Sequence, residues 1–245
     1  MWSGAEVADA AAGKGKARPI SQNQLDRGKA RIKKGKQCPN SEAVKALVIS
    51  SCITLHNLGY KGRLNLAALG NLQSLVNVAG ADCDLNHLAE LTNLRKLFIR
   101  GGVENMEEML KSTGITFNHL RSLSVYSPGE VIPMNMGLSC PHTYKLQLSG
   151  KIREQSLEGL QGYEDLTKMS LFDTGLQLES LKILENIPNL RMLWLRTGSL
   201  ENVSEIVVPT EGYPNLEFLS LEYLRELKSW SIEKGGMGSL RRFVY

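Results

Sequence analysis

The sequence is poor in the residues on which catalytic or metal-binding readings rest. Four histidines and four cysteines are spread through 245 residues. Cys38, Cys52, Cys83 and Cys140 form no C-x-x-C pair and no cluster with histidine, so neither a disulfide framework nor a zinc site has a basis, and buried reduced thiols are expected. His56, His87, His119 and His142 fall in separate stretches, and no H-E-x-x-H, G-x-S-x-G or G-x-G-x-x-G occurs. Asp165 and Asp173 are acids beside turns rather than a catalytic pair. No enzyme activity, cofactor or metal is therefore expected. No apolar run approaches the roughly 18 residues that a membrane-spanning helix needs. The opening residues, MWSGAEVADAAAGKGK, have small side chains where a signal peptide has an apolar core, which points to a cytoplasmic protein.

Negative charge is scarce in one place. Residues 1–40 hold nine Lys/Arg against Glu6, Asp9 and Asp26, a balance of +6, whereas the whole chain carries +4, so the remainder carries −2. This segment also has few large apolar side chains and is expected to be a disordered basic tail. Gly13-Lys14, Gly28-Lys29 and Gly35-Lys36 lack the earlier glycine and following Ser or Thr of a phosphate-binding loop. A lysine-rich run such as KARIKKGK attracts phosphates without sequence specificity, but a solvated tail is the simpler reading.

What the chain does have is leucine at fixed intervals. In DLTKMSLFDTGLQLESLKILENIPNLRMLWL, residues 165–195, the phrase L-x-x-L-x-L occurs twice, as Leu166/Met169/Leu171 and Leu190/Leu193/Leu195. Between them Leu178, Leu181, Leu184 and Ile187 recur every three residues, which predicts a short amphipathic helix. The second apolar strand position recurs at 49, 77, 99, 125, 148, 171, 195, 221 and 245. The steps of 28, 22, 26, 23, 23, 24, 26 and 24 residues match leucine-rich repeats. Val78 comes one place late, so that strand is irregular, and the coil at Leu146/Leu148 has Cys140-Pro141 in place of upstream leucines.

The fold expected is an α/β leucine-rich repeat solenoid, a curved horseshoe with parallel strands on the concave face and short helices and irregular turns on the convex face. Residues 41–245 form this domain, with about nine irregular repeats and an uncapped C-terminus at Tyr245. No coil can bury its leucines alone, so neighbouring coils supply the core. Two further convex helices are predicted. Val103, Met106, Met109 and Leu110 share one face with Gly114 to end it, and Leu200, Val203 and Ile206 share another before Pro209.

Side chains alternate along a strand, so the residues between the leucines face out. They include Lys96, Phe98 and Arg100; Ser124 and Tyr126; Lys168, Ser170 and Phe172; Met192, Trp194 and Arg196; and Phe218, Ser220 and Glu222. Aromatic side chains and arginine dominate protein interfaces because they desolvate large areas while keeping a directional group. Phe98, Arg100, Tyr126, Lys168, Phe172, Trp194, Arg196 and Phe218 are accordingly the candidate partner-binding residues of the concave face. The competing expectation is that neighbouring aromatics pack on one another and merely shield the sheet.

Three runs carry a family resemblance: KLQLSGKI, LTKMSLFDTGLQLESLKILENIPNLRMLWL and GYPNLEFLSLEYLRELKSWSIEKGGMGSLRRF. Their order resembles the C-terminal repeats of plant intracellular disease-resistance receptors of the coiled-coil, nucleotide-binding, leucine-rich repeat class. The likeness covers Lys145–Phe243, and LGNLQSL with LAELTNLRKLFI extends it to about Leu66. The resemblance implies a receptor part that senses a pathogen effector, directly or through a guarded host protein, and restrains a neighbouring nucleotide switch in defence. The implied partner is one of these proteins, or a nucleotide-binding domain in cis or trans, and neither a membrane nor nucleic acid. No phosphate-binding loop is present, so a fragment, a truncated product or a decoy is expected. The alternative is a stand-alone repeat scaffold or adaptor. The position three after the strand marker is Cys52, Gly102, Pro128, Lys151, Thr174, Gly198 or Leu224, so the asparagine ladder of regular extracellular repeats is missing there. With no signal peptide expected, the sequon Asn202-Val203-Ser204 is expected to be unused.

Overall fold

The computed structural model describes residues 54–56, 66, 69–80, 88, 90–103, 114–132, 139–152, 159–160 and 163–245. The basic segment 1–40 and most of the helix read over Val103–Leu110 lie outside these residues.

Alternation of apolar and polar residues produces the strands. They are β1 (Thr54–His56), β2 (Ser74–Ala79), β3 (Lys96–Arg100), β4 (Ser122–Ile132), β5 (Lys145–Ile152), β6 (Lys168–Phe172), β7 (Met192–Leu195), β8 (Glu205–Val208), β9 (Phe218–Leu221), β10 (Ser229–Ile232) and β11 (Arg242–Val244). Nine form one sheet in the order β1-β2-β3-β4-β5-β6-β7-β9-β11, every neighbour parallel. Strand order following chain order is the mark of a solenoid, and this one is a leucine-rich repeat solenoid with little helix.

The register stacks like on like. Leu75, Leu97, Leu123, Leu146, Met169, Leu193 and Leu219 are successive partners, and so are Ile99, Val125, Leu148, Leu171, Leu195 and Leu221. All of them are buried. Upstream of β2 to β7, β9 and β11, a turn is closed by a hydrogen bond across three residues, as in Leu94 N–H to Leu91 O, Leu166 N–H to Tyr163 O and Leu216 N–H to Tyr213 O. Leu91, Phe117, Cys140, Tyr163, Ile187, Tyr213 and Met237 all occupy the first position of that turn, and all are buried. The irregular coil at Leu146 thus uses Cys140 where its neighbours use larger residues, and buried Thr143 stands where they have leucine, its Oγ1 unpartnered.

Several expectations need correction. The strand beside β2 is Thr54–His56, with Leu55 opposite Leu75, twenty residues earlier. Leu47–Ile49, which carries the first strand marker at position 49, lies outside the described residues. The late Val78 is explained by a register shift between Leu75 and Val78, with Asn77 at φ +62°, so Val78 rather than residue 77 pairs with Ile99. The segment before Pro209 is not a helix. Glu205–Val208 is a strand, paired in parallel with β10 in a second, two-stranded sheet. Its β-branched run Ile206-Val207-Val208 loses side-chain freedom in a helix and favours an extended chain, and burial alternates, with Ile206 and Val208 inside. The helix read over Leu178–Ile187 is present as α1 (Leu178–Glu185) and buries Leu181 and Leu184. Leu178 is 45% exposed, however, because it opens the first turn, and Ser180 takes the buried place. Tyr245 marks no core position: it follows β11 and is 74% exposed.

Close approach of coils fixes two glycines. A Cβ on Gly80 would lie 2.5 Å from the Gly101 carbonyl oxygen. At Gly150, with φ +138°, a Cβ would collide with the Ser127 carbonyl, where residues between Tyr126 and Val131 bulge from the β4–β5 ladder.

Candidate functional site

The register that stacks the leucines also stacks the residues between them on the open face of the nine-stranded sheet. Phe98, Ser124, Gln147, Ser170, Trp194 and Ser220 make one row; Lys96, Ser122, Lys145, Lys168, Met192, Phe218 and Arg242 make a second; Arg100, Tyr126, Ser149 and Phe172 belong to a third. Seven of the eight candidate residues therefore share one face, and Arg196 follows β7 directly; all are half-buried except exposed Arg100.

Two groups among them touch. Trp194 and Phe218, on adjacent strands, pack with ring centroids 5.0 Å apart at 42°, and the Arg242 guanidinium lies 5.6 Å from the Phe218 centroid. A tilted pair with a cation over one ring is favourable because the ring face is electron-rich. In the other group the Arg100 guanidinium stands 5.5 Å from the Tyr126 ring and donates to Asn77 Oδ1 at 3.3 Å. Arg196 is turned to a structural task. Its Nε lies 3.4 Å from Glu222 Oε2, and Glu222 also accepts from Ser220 Oγ at 2.6 Å. Phe98, Lys168 and Phe172 join neither group. The mutual packing weighed above is thus real for Trp194 and Phe218, and it leaves both rings half-buried.

Arg242 was missed by the sequence reading, although it occupies in β11 the place of Phe218 in β9. The same alternation in LRRF could have found it. A polar ladder was missed as well. Three residues before β3, β7, β9 and β11, Asn93 Nδ2 donates to Gly70 O at 3.0 Å, Asn189 Nδ2 to Glu164 O at 3.0 Å, Asn215 Nδ2 to Pro188 O at 2.7 Å, and Ser239 Oγ to Pro214 O at 2.8 Å. His142 and Asp165 meet at 2.9 Å in the same position. Each rung ties a coil to the one before it. Past the strands, buried Thr174 donates to Ser199 O at 3.0 Å. The signal was the recurring polar-Leu pair in GNL, TNL, EDL, PNL and GSL, which precedes the strand rather than following it.

Cys140 is a buried free thiol, and burial pushes it up to about 12. Burial likewise raises the Tyr163 and Tyr213 hydroxyls, and the Glu185 carboxylate adds to the rise at Tyr213. These groups are neutral core members with no role at the open face. Among the described residues no three His, Cys, Asp or Glu side chains are grouped to hold a metal, and no helix is long and apolar enough to cross a membrane.

No family model matches the chain. It is 29% identical over 183 residues to a probable disease resistance protein, RF9, of Arabidopsis thaliana, covering 74% of this chain and 17% of that protein. It is 30% identical over 198 residues to the disease susceptibility protein LOV1 of the same plant, covering 74% and 20%. A probable disease resistance RPP8-like protein 2 is 28% identical over 189 residues, covering 74% and 20%. The chain spans about a fifth of the length of the curated relatives it matches.

Proposed function

The chain is a leucine-rich repeat relative of plant disease-resistance proteins, and from that premise we propose that the open face of its sheet recognises a protein in the defence response. The protein recognised is a pathogen effector or a guarded host protein, and in the cytoplasm the same face holds a neighbouring nucleotide switch in check. The observation that carries this reading is the Trp194–Phe218–Arg242 cluster, an apolar surface with one directional cation on a rigid sheet. Trp, Phe and Arg truncations are costly where they form the centre of an interface. Phe98, Arg100, Tyr126, Lys168 and Phe172 extend the contact along the sheet. Arg196 supports it through Glu222 rather than by contact.

The test compares proteins captured in plant leaf tissue by the native chain and by the Trp194→Ala, Phe218→Ala double variant. Each protein lost from the variant is then purified and titrated against both. A partner with an affinity reduced at least tenfold supports the reading. A partner bound equally by both places recognition elsewhere. A stand-alone scaffold is the second reading, favoured by the two-stranded sheet of β8 and β10, which pairs with no other strand among the described residues; partners lost on mutation of exposed Val207 or Ile232 instead would select it.

A further inference from the structure

Cations gather at one border of the nine-stranded sheet, whereas at the opposite border the two signs are mixed. At the strand starts, backbone hydrogen bonds align Arg95, Arg121, Tyr144, Thr167, Arg191, Glu217 and Arg241, each N–H donating to the carbonyl of the preceding coil's row. The next row holds Lys96, Lys145, Lys168 and Arg242 with no carboxylate. These two rows contain eight cations and a single acid, Glu217, which is taken by Arg191 at 2.9 Å. Arg95, Lys96, Lys168 and Arg241 have no ion pair among the described residues. Past the strand ends the two signs are mixed: Asp173, Glu201, Glu222 and Glu226 lie there with Arg100, Lys151, Arg196 and Arg225, and Glu222 and Glu201 neutralise Arg196 and Lys151.

We propose that the basic border at the strand starts is the docking line for an acidic polypeptide segment, which crosses the strands and sets an aromatic or aliphatic side chain against Met192, Trp194 and Phe218. This rests on the reading of the open face as the partner surface, and names the partner's chemistry. Parallel strands are about 4.8 Å apart, so the six steps from Lys96 to Arg242 span about 29 Å. An extended chain of roughly nine residues covers that distance. A protein segment is favoured over nucleic acid because Met192 and Phe218 interrupt the row of cations and Trp194 packs beside them, an apolar place that fits an acidic segment carrying one apolar side chain rather than an unbroken line of phosphates. The aromatic cluster at one end supplies the specificity that charge alone does not.

The test uses the full chain with a fluorescein-labelled ten-residue Glu peptide bearing one central photoreactive phenylalanine, an all-Gln counterpart, and ten-nucleotide oligothymidylate. Fluorescence anisotropy at low salt gives affinities, and mass spectrometry locates the cross-links. The Glu peptide is expected to cross-link on β3–β9 beside the strand starts, and Lys96→Glu with Lys168→Glu to weaken it at least about fivefold. Lys33→Glu with Lys34→Glu in the tail should leave those cross-links in place. Cross-links confined to residues 1–40, equal binding of the Gln peptide, or tighter binding of the oligonucleotide at the same border would each overturn the proposal. If Trp194→Ala with Phe218→Ala abolishes capture of a partner while the charge reversals leave that partner untouched, the acidic docking line fails and the open-face reading stands.

Discussion

Replacing Leu193 by alanine probes the nearest-neighbour character of the solenoid. Leu193 is 1% exposed and stacked between Met169 and Leu219. Losing its buried branch forfeits transfer energy and leaves a cavity that flanking coils fill only in part, a cost of about 2–5 kcal/mol. For a repeat body of this size, each kcal/mol lowers the melting temperature by about 2–4 °C, so a drop on the order of 10 °C is expected. Location matters more than size. Because coils contact only their neighbours, the loss should open β6, β7 and β9 first. Hydrogen exchange under native conditions is the assay: amides of Met169–Leu171, Leu193–Leu195 and Leu219–Leu221 should lose protection, while those of β3 and β4 keep it. Phe243→Ala is the internal comparison, because Phe243 holds the same register but is 37% exposed, and its cost should be smaller. Uniform loss of protection from β2 to β11, or an unchanged melting point, would refute the nearest-neighbour account.

Trp194→Ala removes an aromatic contact worth about 0.5–1.5 kcal/mol and should shift the denaturation midpoint only slightly, so any loss of partner binding it causes is assignable to the surface. Gly150→Ala should destabilise by roughly 1–3 kcal/mol, since it meets the Ser127 carbonyl at a φ of +138°. Gly70→Ala, with open space around its Cβ, should be neutral in the same urea titration. The Cys140 thiol titrates near 9 when unfolded and at about 12 when folded. The folded state therefore binds the extra proton, and stability present below pH 9 falls as pH rises from 9 to 12, by about 1.4 kcal/mol per unit at most. Cys140→Ala should make the fall between pH 9 and 10 shallower in the stability profile measured by circular dichroism, and buried Tyr163 and Tyr213 keep a slope above 10. Asn189→Ala and Asn215→Ala each remove one rung and should cost about 0.5–1.5 kcal/mol apiece by chemical denaturation.

The leucine period determined the core almost completely, because a buried residue repeated at one register position leaves a periodic mark in the sequence. Leu97, Leu123, Leu146 and Leu193 could be placed from spacing alone. The convex side was less legible. Leu200, Val203 and Ile206 are spaced for a helix, but that spacing also suits a bend followed by a strand, and pairing with Ser229–Ile232 decides between them. Such a pairing depends on a segment in the next coil and leaves no local signal. The open face was legible as a set of residues but not as contacts. Alternation put Trp194, Arg196 and Phe218 on one side, whereas only geometry gives Trp194 to Phe218 and Arg196 to Glu222. The rungs formed by Asn189 and Asn215 were visible as residues and overlooked because the ladder was sought after the strand instead of before it.

Those rungs bear on how such a chain can change over time. Asn93, Asn189, Asn215 and Ser239 each reach a carbonyl one coil back and ask nothing of that coil's side chains. A coil inserted, deleted or exchanged between related genes meets a joint it already fits, since only main-chain oxygen must be offered. The frame is thus indifferent to what faces outward. Outward residues can be reshuffled a coil at a time, with the fold bearing little of the cost.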